Sequence, residues 1–227
     1  MAKIGILGGS FNPVHLGHLW MGHSAAEAIG LEKVLLVPCS VSPFKQGAAD
    51  LAPGAERLEM VRLSTEGDGL LESSSIDLDR GGVSFTLDTV REVRSRYVGD
   101  RIFFIMGMDS LRELSHWHRV LEMLEMCDVI TVRRPGIDNP LGADELDFPQ
   151  GVRERLMGGI IRGRLFDVSS SDIRRRIAEG RTIRYLVSPA VESYILNRGL
   201  YGSGDTKPFG RQCHVQRAES LGTENSE

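Results

Sequence analysis

The chain of 227 residues reads as an α/β protein, a Rossmann-like doubly wound parallel sheet in a single domain with a helical C-terminal part. Three observations predict it. Short apolar runs rich in Ile, Val, Leu and Phe recur without polar alternation, as in strands covered on both faces. Longer amphipathic stretches separate them, and alternating strands and helices wind into a parallel sheet. Glycines follow the ends of those stretches, where left-handed caps close helices.

Taken in order, Lys3–Leu7 is the first strand, followed by a helix over Leu16–Ile29 that stops at Gly30. Lys33–Pro38 is the second strand, and Ala55–Glu66 is a helix before Gly67. Leu70–Ile76 forms the third strand, Thr86–Tyr97 a helix, Arg101–Met106 the fourth strand and Arg119–Met126 a helix. Val129–Arg133 and Leu165–Val168 supply the remaining strands, and helices over Ser171–Glu179 and Pro189–Asn197 end at Gly180 and Gly199. Pro135, Pro140 and Pro149 mark 135–151 as an irregular connection. The domain is expected to span 1–201. From 202 to 227 polar residues dominate without apolar periodicity, which predicts a disordered tail.

Hydrophobic residues make up 41% of the chain and charged residues 26%, with a net charge of −4. That balance gives no pull toward nucleic acid or an anionic membrane. No apolar run approaches the roughly 18 residues of a membrane span, and no signal-peptide pattern opens the chain. A cytoplasmic protein is expected, and the oligomeric state, monomer or homo-oligomer, stays open. Cys39, Cys127 and Cys213 are odd in number and far apart, so neither disulfides nor a zinc site is expected. Cys127 reads as core. Arg174, Arg175, Arg176, Arg181 and Arg184 form a local basic cluster.

The richest chemistry lies in Gly8-Gly9-Ser10-Phe11-Asn12-Pro13-Val14-His15-Leu16-Gly17-His18. A strand, a glycine turn and the first turn of a helix make an anion site, because backbone amides and the helix dipole both favour negative charge. His15 and His18, three residues apart, can face the same way. The dinucleotide fingerprint Gly-x-Gly-x-x-Gly and the Walker loop are both absent. Further clusters fall near strand ends. Lys45 follows the second strand. Ser84, Thr86 and Asp88 open a helix, where Ser84 or Thr86 could cap it. Gly107 and Asp109 follow the fourth strand, with Trp117 and His118 beyond; the tryptophan suits either packing or stacking. Ser169-Ser170-Ser171 leads into a helix that carries Arg174, a pattern that caps the helix and can also clamp phosphates.

These blocks together resemble the nucleotidylyltransferase superfamily and, within it, the bacterial nicotinate-nucleotide adenylyltransferases. The resemblance rests on Gly-Gly, Phe-x-Pro and His-x-Gly-His, on Ser84-Phe85-Thr86-x-Asp88-Thr89, on Gly107-x-Asp109-Ser110-Leu111 with Trp117-His118, and on Ser169-Ser170-Ser171-x-x-Arg174. Ser10 stands where threonine is common, Asn12 where aspartate is, Ser171 where threonine is, and Phe44 where histidine is usual. The resemblance implies transfer of AMP from ATP to nicotinate mononucleotide, giving nicotinate adenine dinucleotide and pyrophosphate in NAD biosynthesis. It implies catalysis by His15, His18 and Arg174. ATP contacts would come from Gly8, Gly9, Ser10, Phe11, Gly107, Arg134, Ser169 and Ser170. Mononucleotide contacts would come from Lys45, Thr86, Asp109, Trp117 and His118, with stacking by Trp117 favoured. Magnesium is expected to arrive with ATP, and no residue is assigned as a metal ligand. A phosphopantetheine adenylyltransferase of the same fold, a class I aminoacyl-tRNA synthetase lacking its lysine-rich loop, and a nucleotide sensor without turnover are the rival readings.

Overall fold

Ile4 and Ile6 of strand β1 (Lys3–Gly9) are buried on one face and Leu7 on the other, which makes this strand the middle of the molecule. The computed structural model describes residues 1–43, 50–133, 142, 145–164 and 166–202. Lys45 and Arg134, with Phe44, lie outside them, as does the expected tail beyond Gly202. Strand β1 pairs in parallel with β2 (Lys33–Pro38), Ile6 opposite Leu35, and with β4 (Arg101–Gly107), Ile6 opposite Phe104. Strand β3 (Leu71–Ser73) flanks β2, while β5 (Asp128–Arg133) and β6 (Ile160–Arg162) continue beyond β4. The order is β3-β2-β1-β4-β5-β6. The chain therefore winds outward from β1, returns, and resumes on its other side. The carboxyl ends of β1 and β4 border the crevice where such sheets bind ligands.

Side chains alternate across each strand and fill two cores. Ile102, Phe104 and Met106 pack on one face with Val90 and Val93 of α4 (Thr86–Arg96) and Met123 of α6 (Val120–Met126). Phe103 and Ile105 pack on the other with Ala25 and Ala26 of α1 (Leu16–Ile29), Met60 and Val61 of α2 (Gly54–Thr65), Ile173 of α8 (Ser170–Ala178) and Ile195 of α9 (Pro189–Arg198). Gly30 and Gly199 close α1 and α9 with φ of 69° and 61°, the left-handed caps expected of them. Cys127 is core as expected. Burial, helped by the charge of Asp128, pushes its thiol up to about 12.

Several elements differ from the sequence reading. Of the expected strand Leu165–Val168, Leu165 lies outside the described residues, residues 166–168 have no sheet pairing, and the edge strand is β6. Gly159 explains how the chain enters beside β5, since a Cβ there would sit 2.2 Å from the Val129 carbonyl oxygen. Phe166 and Val168 are apolar because they line a cavity instead. The third strand stops at Ser73, and Ile76 opens a short helix, α3 (Ile76–Arg80), with its side chain in the first core. A short α5 (Met108–Arg112) directly follows β4, a 3-10 turn spans Leu114–His116, and α7 (Gln150–Gly158) precedes β6. No helix among the described residues is long and apolar enough to cross a membrane.

Candidate active site

The turn after β1 is held by the packing of Phe11 and two histidine rings. Phe11 is 1% exposed at a φ of 46°, a conformation a bulky residue keeps only when its surroundings impose it. Its ring meets His18 edge-on at 5.0 Å. His15 is the N-cap of α1 and is buried, and its ring stacks on that of His18 at 3.6 Å with 24° between planes. The backbone N–H of His15 donates to Nδ1 of His18 at 3.2 Å. With Nδ1 an acceptor, the neutral ring of His18 carries its proton on Nε2. Gly17 is part of the same device, because a Cβ there would lie 3.1 Å from Nδ1 of His15. The His-x-Gly-His spacing thus packs two imidazoles into one layer.

The second anchor is the start of α8. Ser169 is its N-cap and accepts from the Asp172 N–H at 3.1 Å, which leaves its hydroxyl proton to donate. Ser170 gives its hydroxyl proton to the Pro13 carbonyl at 2.8 Å, tying α8 to the turn after β1. Arg174 reaches the same turn, donating to the Asn12 carbonyl at 2.9 Å. It also grips the Asp50 carboxylate, with Nε at 2.8 Å and Nη2 at 2.5 Å. The rest of the basic cluster splits away: Arg175 pairs with Asp172, Arg181 with Glu179, and Arg176 donates to the Thr182 carbonyl. A cavity of about 380 Å³ opens here, walled by His15, His18, Ser169, Ser170, Asp50 and Arg174.

A second cavity, of about 590 Å³, lies over the ends of β1 and β4. Gly8, Gly9, Gly107, Thr86, Asp109, Trp117 and His118 line it. Trp117 is partly buried and meets Phe104 edge-on at 5.8 Å, so it packs and still presents its ring to the cavity. His118 lies against Phe85 at 4.4 Å. The Asp109 side chain is 98% exposed, open to hydroxyl partners. The N-cap of α4 is Phe85, which has no side-chain acceptor for the first-turn amides. Neither Ser84 nor Thr86 caps as expected, because the Ser84 hydroxyl instead accepts from the Ser40 N–H at 2.8 Å. Helix α4 therefore offers its N-terminus to an anion in the cavity.

Ser10, His18 and Met21 line both cavities, so His18 stands at the seam between them. Apart from Lys45 and Arg134, the structure gathers the expected residues onto these two cavities or the turn between them. A family model described as cytidylyltransferase-like matches residues 6–176. The chain belongs to that family. Among its relatives, a probable nicotinate-nucleotide adenylyltransferase of Pelobacter propionicus is 39% identical over 88% of this chain and 98% of that protein. One of the same name from Geobacillus kaustophilus is 37% identical over 89% of this chain and 88% of that protein. A solved structure of the Plasmodium falciparum nicotinic acid mononucleotide adenylyltransferase, complexed with NaAD, superposes with a TM-score of 0.66 at 15% identity. It covers 88% of this chain and 98% of that one, a likeness of fold.

Three residues that hold the site of this cytidylyltransferase-like protein together escaped the sequence reading. Asn12 is buried; its Nδ2 donates to the Asp50 carbonyl at 2.9 Å, and its Oδ1 accepts from Ala52 N–H at 3.0 Å and the Tyr201 hydroxyl at 2.8 Å. An ionised aspartate here could not make the first bond. Asp50 lay in a polar loop with nothing to connect it to Arg174, 124 residues away. Arg57 had a signal, because it shares a helix face with buried Met60 and Val61.

Proposed function

We propose that this protein transfers the adenylyl group of ATP to nicotinate mononucleotide, releasing pyrophosphate and forming nicotinate adenine dinucleotide, a step of NAD biosynthesis. The observation that carries it is the seam: a cavity with an arginine-serine anion clamp and a cavity with an aromatic wall meet at His18. The names of relatives at 37% to 39% identity point to the same reaction, and the bound NaAD of the Plasmodium protein is the corresponding product.

In this arrangement ATP lies in the first cavity with its β- and γ-phosphates on Ser169 and Arg174. The mononucleotide lies in the second, its pyridine against Trp117, its ribose hydroxyls on Asp109 and its carboxylate at the N-terminus of α4. An amide would also require an acceptor there, so the uncapped helix start favours the acid. A phosphate oxygen of the mononucleotide attacks the α-phosphorus in line. The bond to the α,β-bridging oxygen breaks, and its electron pair leaves with pyrophosphate. The nucleophile is already an anion, so no protein base is needed. Catalysis is positioning and charge stabilisation, with Nε2–H of His18 donating to the α-phosphate oxygens and His15 stacked behind it. A magnesium ion arriving with ATP would be held by phosphate oxygens and water, with few protein carboxylates needed. Bound there, it would supply further neutralisation of the triphosphate.

The test is pyrophosphate release from MgATP with nicotinate mononucleotide, nicotinamide mononucleotide or phosphopantetheine as acceptor. Release is expected chiefly with the first and is lost in His18→Ala. Release with phosphopantetheine would overturn the substrate, and ATP binding without release would make the protein a sensor.

A further inference from the structure

Arg57 is 1% exposed and belongs to the most deeply buried large side chains of the protein. Nε donates to the Ala52 carbonyl at 2.9 Å. Nη1 donates to Ser10 at 2.9 Å and Cys39 at 2.8 Å, and Nη2 to Ser40 at 3.3 Å. All of these acceptors are neutral carbonyls. They belong to the turn after β1, the segment after β2 and the loop before α2, and this one guanidinium bonds to all three. Burying a cation has an effective penalty of several kcal/mol, and apolar side chains of similar volume often replace buried ions without loss of stability. Met60 and Val61, on the same face of α2, are buried apolar residues. Packing alone therefore does not explain an arginine here.

The location does. Ser10 lines both cavities, and Arg57 holds its carbonyl from behind. The carboxyl ends of parallel strands turn carbonyl oxygens toward the ligand edge of the sheet, where they would repel a phosphate. Arg57 collects those of Ser10, Cys39 and Ser40 and sets a fixed positive charge behind the seam, in an interior that screens it weakly. Asn12 fixes the same loop through Ala52, so the loop is bound at two points.

We propose that Arg57 is a positioning residue of the transfer: it fixes Ser10 at the junction of the two cavities and supports the phosphates there with its buried charge. This rests on the adenylyl transfer proposed above. The test compares Arg57→Lys, which keeps the charge and loses the planar fork, with Arg57→Gln, which loses the charge. Kinetics are normalised to the folded fraction from melting curves, and MgATP affinity is measured separately by calorimetry. In Arg57→Lys, kcat is expected to fall at least tenfold while the Kd for ATP shifts less than threefold, since small misplacements of reacting groups are penalised steeply. Arg57→Gln is expected to weaken ATP about tenfold as well, the size of a modest electrostatic loss. Wild-type kcat in Arg57→Lys, or losses that track the folded fraction alone, would overturn the role. If Arg57→Lys does not fold, Arg57→Ala in ethylguanidinium replaces it: kcat returning with the added guanidinium supports the role, and a restored fold without kcat overturns it. Wild-type protein that binds ATP but releases no pyrophosphate would refute the transfer instead. The ATP affinity of folded Arg57→Gln would then decide alone, tenfold weaker supporting the role and an unchanged value overturning it.

Discussion

Nδ1 of His18 accepts the backbone N–H of His15 at 3.2 Å, so the ring proposed to act on the α-phosphate is oriented by the N-cap of its own helix. The bond leaves Nε2–H as the donor. His18→Ala is expected to lower kcat by roughly 10²- to 10³-fold, the usual effect of removing one donor to a developing charge, with ATP affinity within a few-fold of wild type. His18→Gln, which retains an N–H donor, is expected to recover part of that loss. Single-turnover pyrophosphate release separates the three proteins, and equal rates in all of them would remove His18 from the chemistry.

Arg174 carries a different expectation because the edge proposed to bind phosphate is already occupied by Asp50. In the proposed reaction the carboxylate gives way to the triphosphate. Asp50 is 57% exposed, and exposed pairs are worth about 0.2–1 kcal/mol. Asp50→Asn should therefore bind MgATP only about two- to fivefold more tightly. Calorimetry measures this directly, and unchanged or weaker binding would show that Asp50 does not compete for the phosphate position.

Stability at low pH should depend on Asp68. Burial alone would raise its carboxyl, but the N–H groups of Leu71 and Leu70 and the ring of His23 outweigh it and hold the carboxyl below its ordinary value. The folded protein thus binds this proton less readily than the unfolded chain, whose aspartates titrate near about 3.9. The resulting stability is complete above that value and disappears as pH falls through the lower folded one. Melting curves of Asp68→Asn and wild type are expected to differ by a constant gap from pH 5 to 7 that closes in acid. A gap that persists at pH 2 would assign the effect to the side chain's shape instead of its charge.

Much of this was legible because it is local. Lys3 to His18 specifies strand, turn and helix within one continuous stretch, and Ser169 to Arg174 specifies a cap and its arginine. Each survives in the fold with boundaries moved by a residue or two. What failed depended on distant partners. Three residues, Ile160–Arg162, become a strand only because β5 lies beside them and Gly159 admits the chain, while Phe166 and Val168 look strand-like because a cavity wall is also apolar. The same holds for the site. Asn12, Asp50 and Arg57 act on backbone atoms or residues far along the chain, and such pairings leave little trace in local spacing.

Gly8 and Gly9 offer a way to separate a requirement of the fold from one of the ligand. Neither has a positive φ. A Cβ on Gly8 would meet the Phe104 ring at 3.4 Å and one on Gly9 the Phe11 ring at 3.4 Å, both close to ordinary contact. Backbone and packing therefore permit alanine at these positions, and the remaining reason for glycine is the cavity that both residues line. Gly5, in the same strand, is the opposite case: its Cβ would lie 2.9 Å from Ile105 and Leu31 side-chain atoms. Gly9→Ala is expected to melt at or slightly above wild type, since alanine restricts the unfolded chain, yet to lose about tenfold or more in kcat/KM, in keeping with small misplacements of bound reactants. Gly5→Ala is expected to lose about 1–3 kcal/mol of stability from overpacking and to keep wild-type activity per folded molecule. Denaturant unfolding and steady-state kinetics on the pair decide the point. If Gly9→Ala is fully active, the glycine turn does not make room for the substrates.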